Sequence, residues 1–105
     1  MRARAREIDV AKNLKMIDWL KAEIVDAVAE LFKSLLMKSS DAVCDALATL
    51  IILAYILGQK VGVGFAAVDA KIKNKLHLSL ENSLGGEEWQ DNLSELLGYL
   101  EKTKR

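Results

Sequence analysis

From Ile8 the apolar positions fall at Ile8, Val10, Leu14, Ile17, Leu20, Ile24, Val28, Leu31 and Leu35. Steps of three and four residues place them on one stripe of a helix. The chain has no proline, and no glycine precedes Gly58, so nothing in the first half forces a break. The stripe predicts one long helix, or two end to end with a break between Ile17 and Lys21, where Asp18 and Trp19 fit neither face. Lys38-Ser39-Ser40 ends it, and Ser39 or Ser40 can cap a second helix with Asp41 in its first, dipole-stabilised turn. That helix should run to Leu57 and stop at Gly58, because "GQKVGVG" (58–64) reads as a turn. A third helix would bury Phe65, Val68, Ile72 and Leu76 and keep Asp69, Lys71, Lys73, Asn74 and Lys75 on its polar face. "ENSLGG" (81–86) makes the next break, and a last helix from Glu87 and Glu88 would face Trp89, Leu93, Leu96, Leu97 and Leu100 inward.

No segment alternates as a strand, and no repeat or low-complexity tract appears. The expected fold class is therefore all-α, an antiparallel helical bundle of four to five helices with short connections. At 105 residues it should be one domain, with 1–7 and 102–105 as flexible ends.

Ala46 to Leu57 is the most apolar run, interrupted only by Thr49 and bounded by Asp45 and Gly58-Gln59-Lys60. A membrane span needs about 20 residues, so this run is expected to be a core helix, apolar on every side, and no membrane partner is expected. So small a chain has few helices to surround it. A homodimer, or a larger assembly such as a tetramer, would cover the remainder.

Fifteen basic and fifteen acidic side chains cancel, which removes the electrostatic case for nucleic acid or an anionic membrane as partner. Cys44 is the only cysteine, so neither an intrachain disulfide nor a cysteine zinc cage can form, as suits a reducing cytoplasm. A lone His77 excludes a multi-histidine metal site. The glycines at 58, 62 and 64 are followed by no Gly-Lys-Ser or Gly-Lys-Thr and preceded by no strand, so they form no nucleotide loop of the common kinds. No apolar stretch with a cleavage site follows the basic "MRARAREIDVAKNLK", so a signal peptide is not expected.

The candidate chemistry is acidic. Asp26 and Glu30 are spaced i, i+4 on the first long helix, and Asp41 and Asp45 are spaced likewise on the second. If the two helices pack antiparallel, the pairs can converge. Asp45 leads into the uncharged run, and a carboxylate entering a buried segment needs a partner. A hard divalent ion, Mg²⁺ or Mn²⁺, held by Asp26, Glu30, Asp41 and Asp45 would answer that need with oxygen ligands. A lysine such as Lys33 or Lys38 would also answer it. Glu23 lies on the same face as Asp26 and Glu30, and such a stripe is equally the mark of a solvated surface. Lys71, Lys73 and Asn74 could reach a metal-bound phosphate, or form a solvated face.

The succession "EIVDAVAELFKSL", "DAVCDALATLIILAYILGQKVGV" and "DAKIKNKLHL" resembles the MazG-like branch of the all-α nucleoside triphosphate pyrophosphohydrolases. With "IDVAKNLKMIDWLKAE" before it and "EEWQDNLSELLGYL" after it, the chain is similar to small stand-alone bacterial members from about Ile8 to Leu100. The resemblance implies a helical bundle assembling as dimers or tetramers. It also implies Mg²⁺ held by an ExxE motif on one helix and an ExxD motif on the next, and hydrolysis of a nucleoside triphosphate to the monophosphate and pyrophosphate. Carried over, ExxE falls on Ala27 and Glu30, and ExxD on Ala42 and Asp45. Glu30 and Asp45 are then the catalytic candidates, with Asp26 and Asp41 standing just before the two alanines. Lys73 and Asn74 match the family's Lys-Asn pair. The readings left open are a nucleotide-binding or nucleotide-hydrolysing protein with an incomplete acidic metal site, a catalytically inactive structural or regulatory homo-oligomer, and a helical adaptor presenting the Trp89 helix.

Overall fold

The structure, a computed structural model, describes the backbone of residues 2–103 and the side chains of residues 9–102. Four helices follow in order: α1 (Arg2–Met37), α2 (Ser40–Lys60), α3 (Phe65–Glu81) and α4 (Glu87–Thr103). Among the described residues there is no strand, so the protein is all-α, as the sequence predicts. Residues 2–7 belong to α1, while Met1 and 104–105 lie outside the described residues. The chain divides into two compact units, Met1–Phe65 and Ala66–Arg105.

In the first unit α1 is unbroken through Asp18 and Trp19, and α2 returns along it as an antiparallel partner. Leu20, Ala27 and Ser34 of α1 are buried seven residues apart, and half-buried Asn13 begins the series. The matching series is Ser39, which caps α2, then Ala46, Leu53 and Lys60 of α2, with Ala46 fully buried. A seven-residue spacing keeps one seam of each helix on its partner, as in a coiled coil. The Asn13 Nδ2 amide donates to the Lys60 carbonyl at 2.8 Å and ties the two far ends together.

The joint is built from local hydrogen bonds. Lys38 adopts a left-handed φ of 55° and donates its N–H to the Leu35 carbonyl. Ser39 caps α2, its Oγ accepting the Ala42 N–H at 3.2 Å, and Asp41 stands in the first turn as expected. The expected stop at Gly58 is displaced. The helix continues to Lys60, and Gly62, at φ +90°, supplies the left-handed residue after it. The Gly58 carbonyl accepts the Val61 and Val63 N–H groups, which closes the helix end.

The expectation of a core helix is also revised, because among the described residues of α2 only Ala46 is fully buried. Only α1 packs on it within this unit, so the opposite side of an all-round apolar helix stays open. At 21 residues α2 is long and apolar enough to cross a membrane by length and composition. Tyr55 meets Phe65 edge to face at 6.0 Å.

In the second unit Val68, Ile72, Leu76 and Leu80 form the inward stripe of α3, and Leu93, Leu97 and Leu100 that of α4. Trp89 and Leu96, expected to face inward, are about half exposed, because they flank that stripe rather than centre on it. The turn between the helices contains Ser83, Gly85 and Gly86 at φ 51°, 84° and 88°. The Gln90 side-chain amide donates to the Ser79 and Leu84 carbonyls and holds the turn closed. His77 Nε2 lies 3.8 Å from Glu101 Oε1, linking the two helices farther along.

Candidate functional site: an acidic cleft on the first helical hairpin

On one flank of the α1–α2 seam lies a cleft of about 240 Å³ lined by Glu23, Asp26, Glu30 and Asp45. Its floor is made of small residues, Ala27, Ala42, Ala46 and Ser34, with Thr49 at the side. The local sequence explains the shape. Glu23, Asp26 and Glu30 step by three and four along α1 and share a face, while alanines at the seam leave space where longer side chains would fill it. Asp45 precedes buried Ala46 on α2 and so stands on the rim facing the α1 acids.

Of the four residues expected at a metal, the cleft brings together Asp26, Glu30 and Asp45. Asp41 is not among its lining residues; it is exposed in the first turn of α2, where a carboxylate favours the helix dipole. Glu23 was not among the expected ligands, yet it lines the cleft half-buried, three residues before Asp26. Its place on the Asp26–Glu30 face was the available signal.

Asp45 is exposed rather than buried, so it carries no large desolvation cost. Among the described residues it has no ion-pair partner. Lys33 pairs instead with Glu30 at 3.7 Å, an exposed i, i+3 contact of small energetic weight. The two hydroxyls of the cleft are turned to the backbone: Ser34 Oγ donates to the Glu30 carbonyl at 2.8 Å and Thr49 Oγ1 to the Asp45 carbonyl at 2.9 Å.

The donor set suits a hard cation in kind, being oxygen only. It does not form an all-protein cage: among the described residues no three His, Cys, Asp or Glu side chains gather closely enough to hold a metal ion. Lys71, Lys73 and Asn74 lie on α3 in the second unit, Lys73 half-buried and the other two exposed.

The family model of the MazG-like family matches residues 10–93. The chain belongs to the MazG-like family. No curated protein and no solved structure matches it. In this MazG-like chain the match takes in α2, α3 and most of α1, and with them every residue that lines the acidic cleft. Glu23 and Asp26 stand i, i+3 apart, the spacing of an ExxE motif with aspartate in second place. Both line the cleft beside Ala27 and Glu30.

Proposed function

We propose that this MazG-like protein binds a nucleoside triphosphate with Mg²⁺ or Mn²⁺ at the α1–α2 cleft and hydrolyses it to the monophosphate and pyrophosphate. The observation that carries this reading is the meeting of Glu23, Asp26 and Glu30 from one helix with Asp45 from the next in a single small cleft. Four carboxylates repel a bare triphosphate, so binding there requires a divalent cation between the two. Magnesium commonly takes one or two protein carboxylates, with substrate phosphates and water completing its shell, so an open acidic cleft suffices where a closed cage is absent. When bound, the ion supplies neutralisation of phosphate charge and polarisation of the reacting phosphorus.

Asp45 is the residue best placed to serve the ion from α2, and Asp26 or Glu23 from α1. Glu30, loosely held by exposed Lys33, is free to accept a proton from the attacking water. A lone cysteine and balanced charge suit action in the cytoplasm.

One observation favours a second reading, a homo-oligomer that no longer turns over nucleotide: Ala27 and Ala42 stand in the cleft where the first members of the family motifs would be. Pyrophosphate release from a panel of normal and damaged nucleoside triphosphates, with Mg²⁺ or Mn²⁺, separates the two. Release with at least one substrate supports hydrolysis. No release and no metal-dependent thermal shift with any of them supports the second reading.

A further inference from the structure

We infer that Trp19 is the surface on which the base of the nucleotide stacks, and that the site selects by stacking alone, whatever hydrogen-bonding edge the base presents. The inference rests on the nucleotide reading of the acidic cleft and extends that cleft by one helical turn.

The placement follows from helix geometry. Trp19, Glu23, Asp26 and Glu30 are steps of four, three and four residues, which puts all of them within about 60° on one side of α1. Trp19 is thus the next member of the acidic stripe, about 6 Å along the helix axis from Glu23 and about 10.5 Å from Asp26. On α2 the corresponding stripe is Asp45, Thr49, Ile52 and Ile56. The two helices run antiparallel, with Asn13 bonded to Lys60, so both stripes turn from acidic to apolar in the same direction. Beyond the carboxylates the flank becomes Trp19, Met16, Ile52 and Ile56. Met16 and Ile56 are half-buried, whereas Trp19 and Ile52 are 52% and 60% exposed.

A metal-bound triphosphate in the cleft carries its nucleoside at one end, and the flank offers that end two directions. Toward the joint it leads past Lys33 and Asp41 and meets no ring; away from the joint it leads onto the indole of Trp19. Among the described residues that indole stacks on no other ring, so its face is free for a base. Stacking on such a face is worth about fivefold to a hundredfold in affinity and accepts any base, since every base has a π-face. Nothing rigid beside it reads a base edge. Met16, Ile52 and Ile56 are apolar, the Thr49 hydroxyl is already given to the Asp45 carbonyl, and Lys15 and Lys12, one and two turns farther on, are exposed and flexible. A pocket built to hydrogen-bond its ligand rejects an unmatched one by about 10⁴-fold or more, whereas an apolar one discriminates by only about 10- to 200-fold. The second regime applies here.

The experiment titrates the full chain, with Mg²⁺, against the α,β-imido analogues of ATP and UTP and against inorganic tripolyphosphate, which has no base. In a Trp89→Phe chain Trp19 is the one tryptophan left, and both nucleotide analogues should quench its emission while tripolyphosphate does not. By calorimetry, Trp19→Ala should weaken both analogues by about fivefold to a hundredfold and Trp19→Phe by less. Tripolyphosphate should bind all of these chains alike, and the two analogues should differ from each other by less than about 200-fold. The quench is read on an intact Trp19, so the test stands even if Trp19→Ala fails to fold. The inference is overturned by nucleotide binding without a quench, by a Trp19→Ala loss that tripolyphosphate shares, or by a preference between the two bases of about 10⁴-fold. Tripolyphosphate that binds as tightly as the nucleotides also overturns it and leaves the metal cleft standing. If no probe binds, the cleft reading falls and this one falls with it.

Discussion

Asn13 and Lys60, 47 residues apart, are joined by a 2.8 Å hydrogen bond from the Asn13 side-chain amide to the Lys60 carbonyl. One group belongs to the paired seam of α1 and the other to the last residue of α2, so the bond fixes how far the two helices slide along each other. Apolar seams alone tolerate a slip of one heptad; a polar group with a single partner does not. That register is what sets Asp45 opposite Glu23, Asp26 and Glu30. Asn13→Ala is expected to destabilise the chain by about 1 kcal/mol, read from urea unfolding. The bond has no such role if unfolding is unchanged.

Leu20 is 1% exposed, and it is the largest fully buried side chain among the described residues. Leu20→Ala opens a cavity in an interior that has little else to close it, and should cost about 2–5 kcal/mol. The check is the midpoint of thermal or urea unfolding. Leu36→Ala, at an 84% exposed position, is the control for a simple change of helix composition.

The two turns respond differently to the same substitution. Gly85 sits at φ +84°, and a β-carbon there would collide with the Trp89 indole, whereas Gly62 at φ +90° faces open space. Gly85→Ala combines backbone strain with a clash and should cost about 2 kcal/mol or more; Gly62→Ala carries the strain alone, about 1 kcal/mol. Unfolding curves of the two variants test the ordering, and the emission shift of Trp89, read in a Trp19→Phe background, locates the change.

Much of the fold is legible in the chain itself. The 3–4 stripe of α1, the Ser39 cap, and the glycine-bearing turns at 58–64 and 81–86 are local signals, and each corresponds to an element of the structure. Gly58 misleads because a helix interior tolerates one glycine, and the residue able to adopt a left-handed φ is Gly62, four positions on. Trp89 and Leu96 mislead because periodicity finds a stripe and not its burial. At the site, Asp26, Glu30 and Asp45 are recoverable from spacing. Glu23 shares the Asp26–Glu30 face in the sequence, but that it lines the cleft, and that Asp41 does not, emerges only when α2 is laid against α1; one residue of rotation on a helix is about 100°. The exposure of Asp45 and of the outer side of α2 depends on which helices pack there, which no local pattern encodes.

Ala42 lines the cleft one turn before Asp45, where a glutamate would complete ExxD. Ala42→Glu is expected to strengthen Mg²⁺ binding roughly tenfold, the equivalent of about 1.4 kcal/mol from one added charged ligand. Calorimetric titration with Mg²⁺ reads it. An unchanged affinity would mean that the cleft is not where the ion binds.

The role of the cleft is tested most directly by pyrophosphate release with Mg²⁺ on the unmodified chain, Asp45→Asn and Asp41→Asn side by side. The account predicts release by the unmodified chain, a loss of at least about tenfold for Asp45→Asn, and near-normal release for Asp41→Asn, whose carboxylate stands outside the cleft. Equal losses in the two variants, or release that survives Asp45→Asn intact, would contradict it.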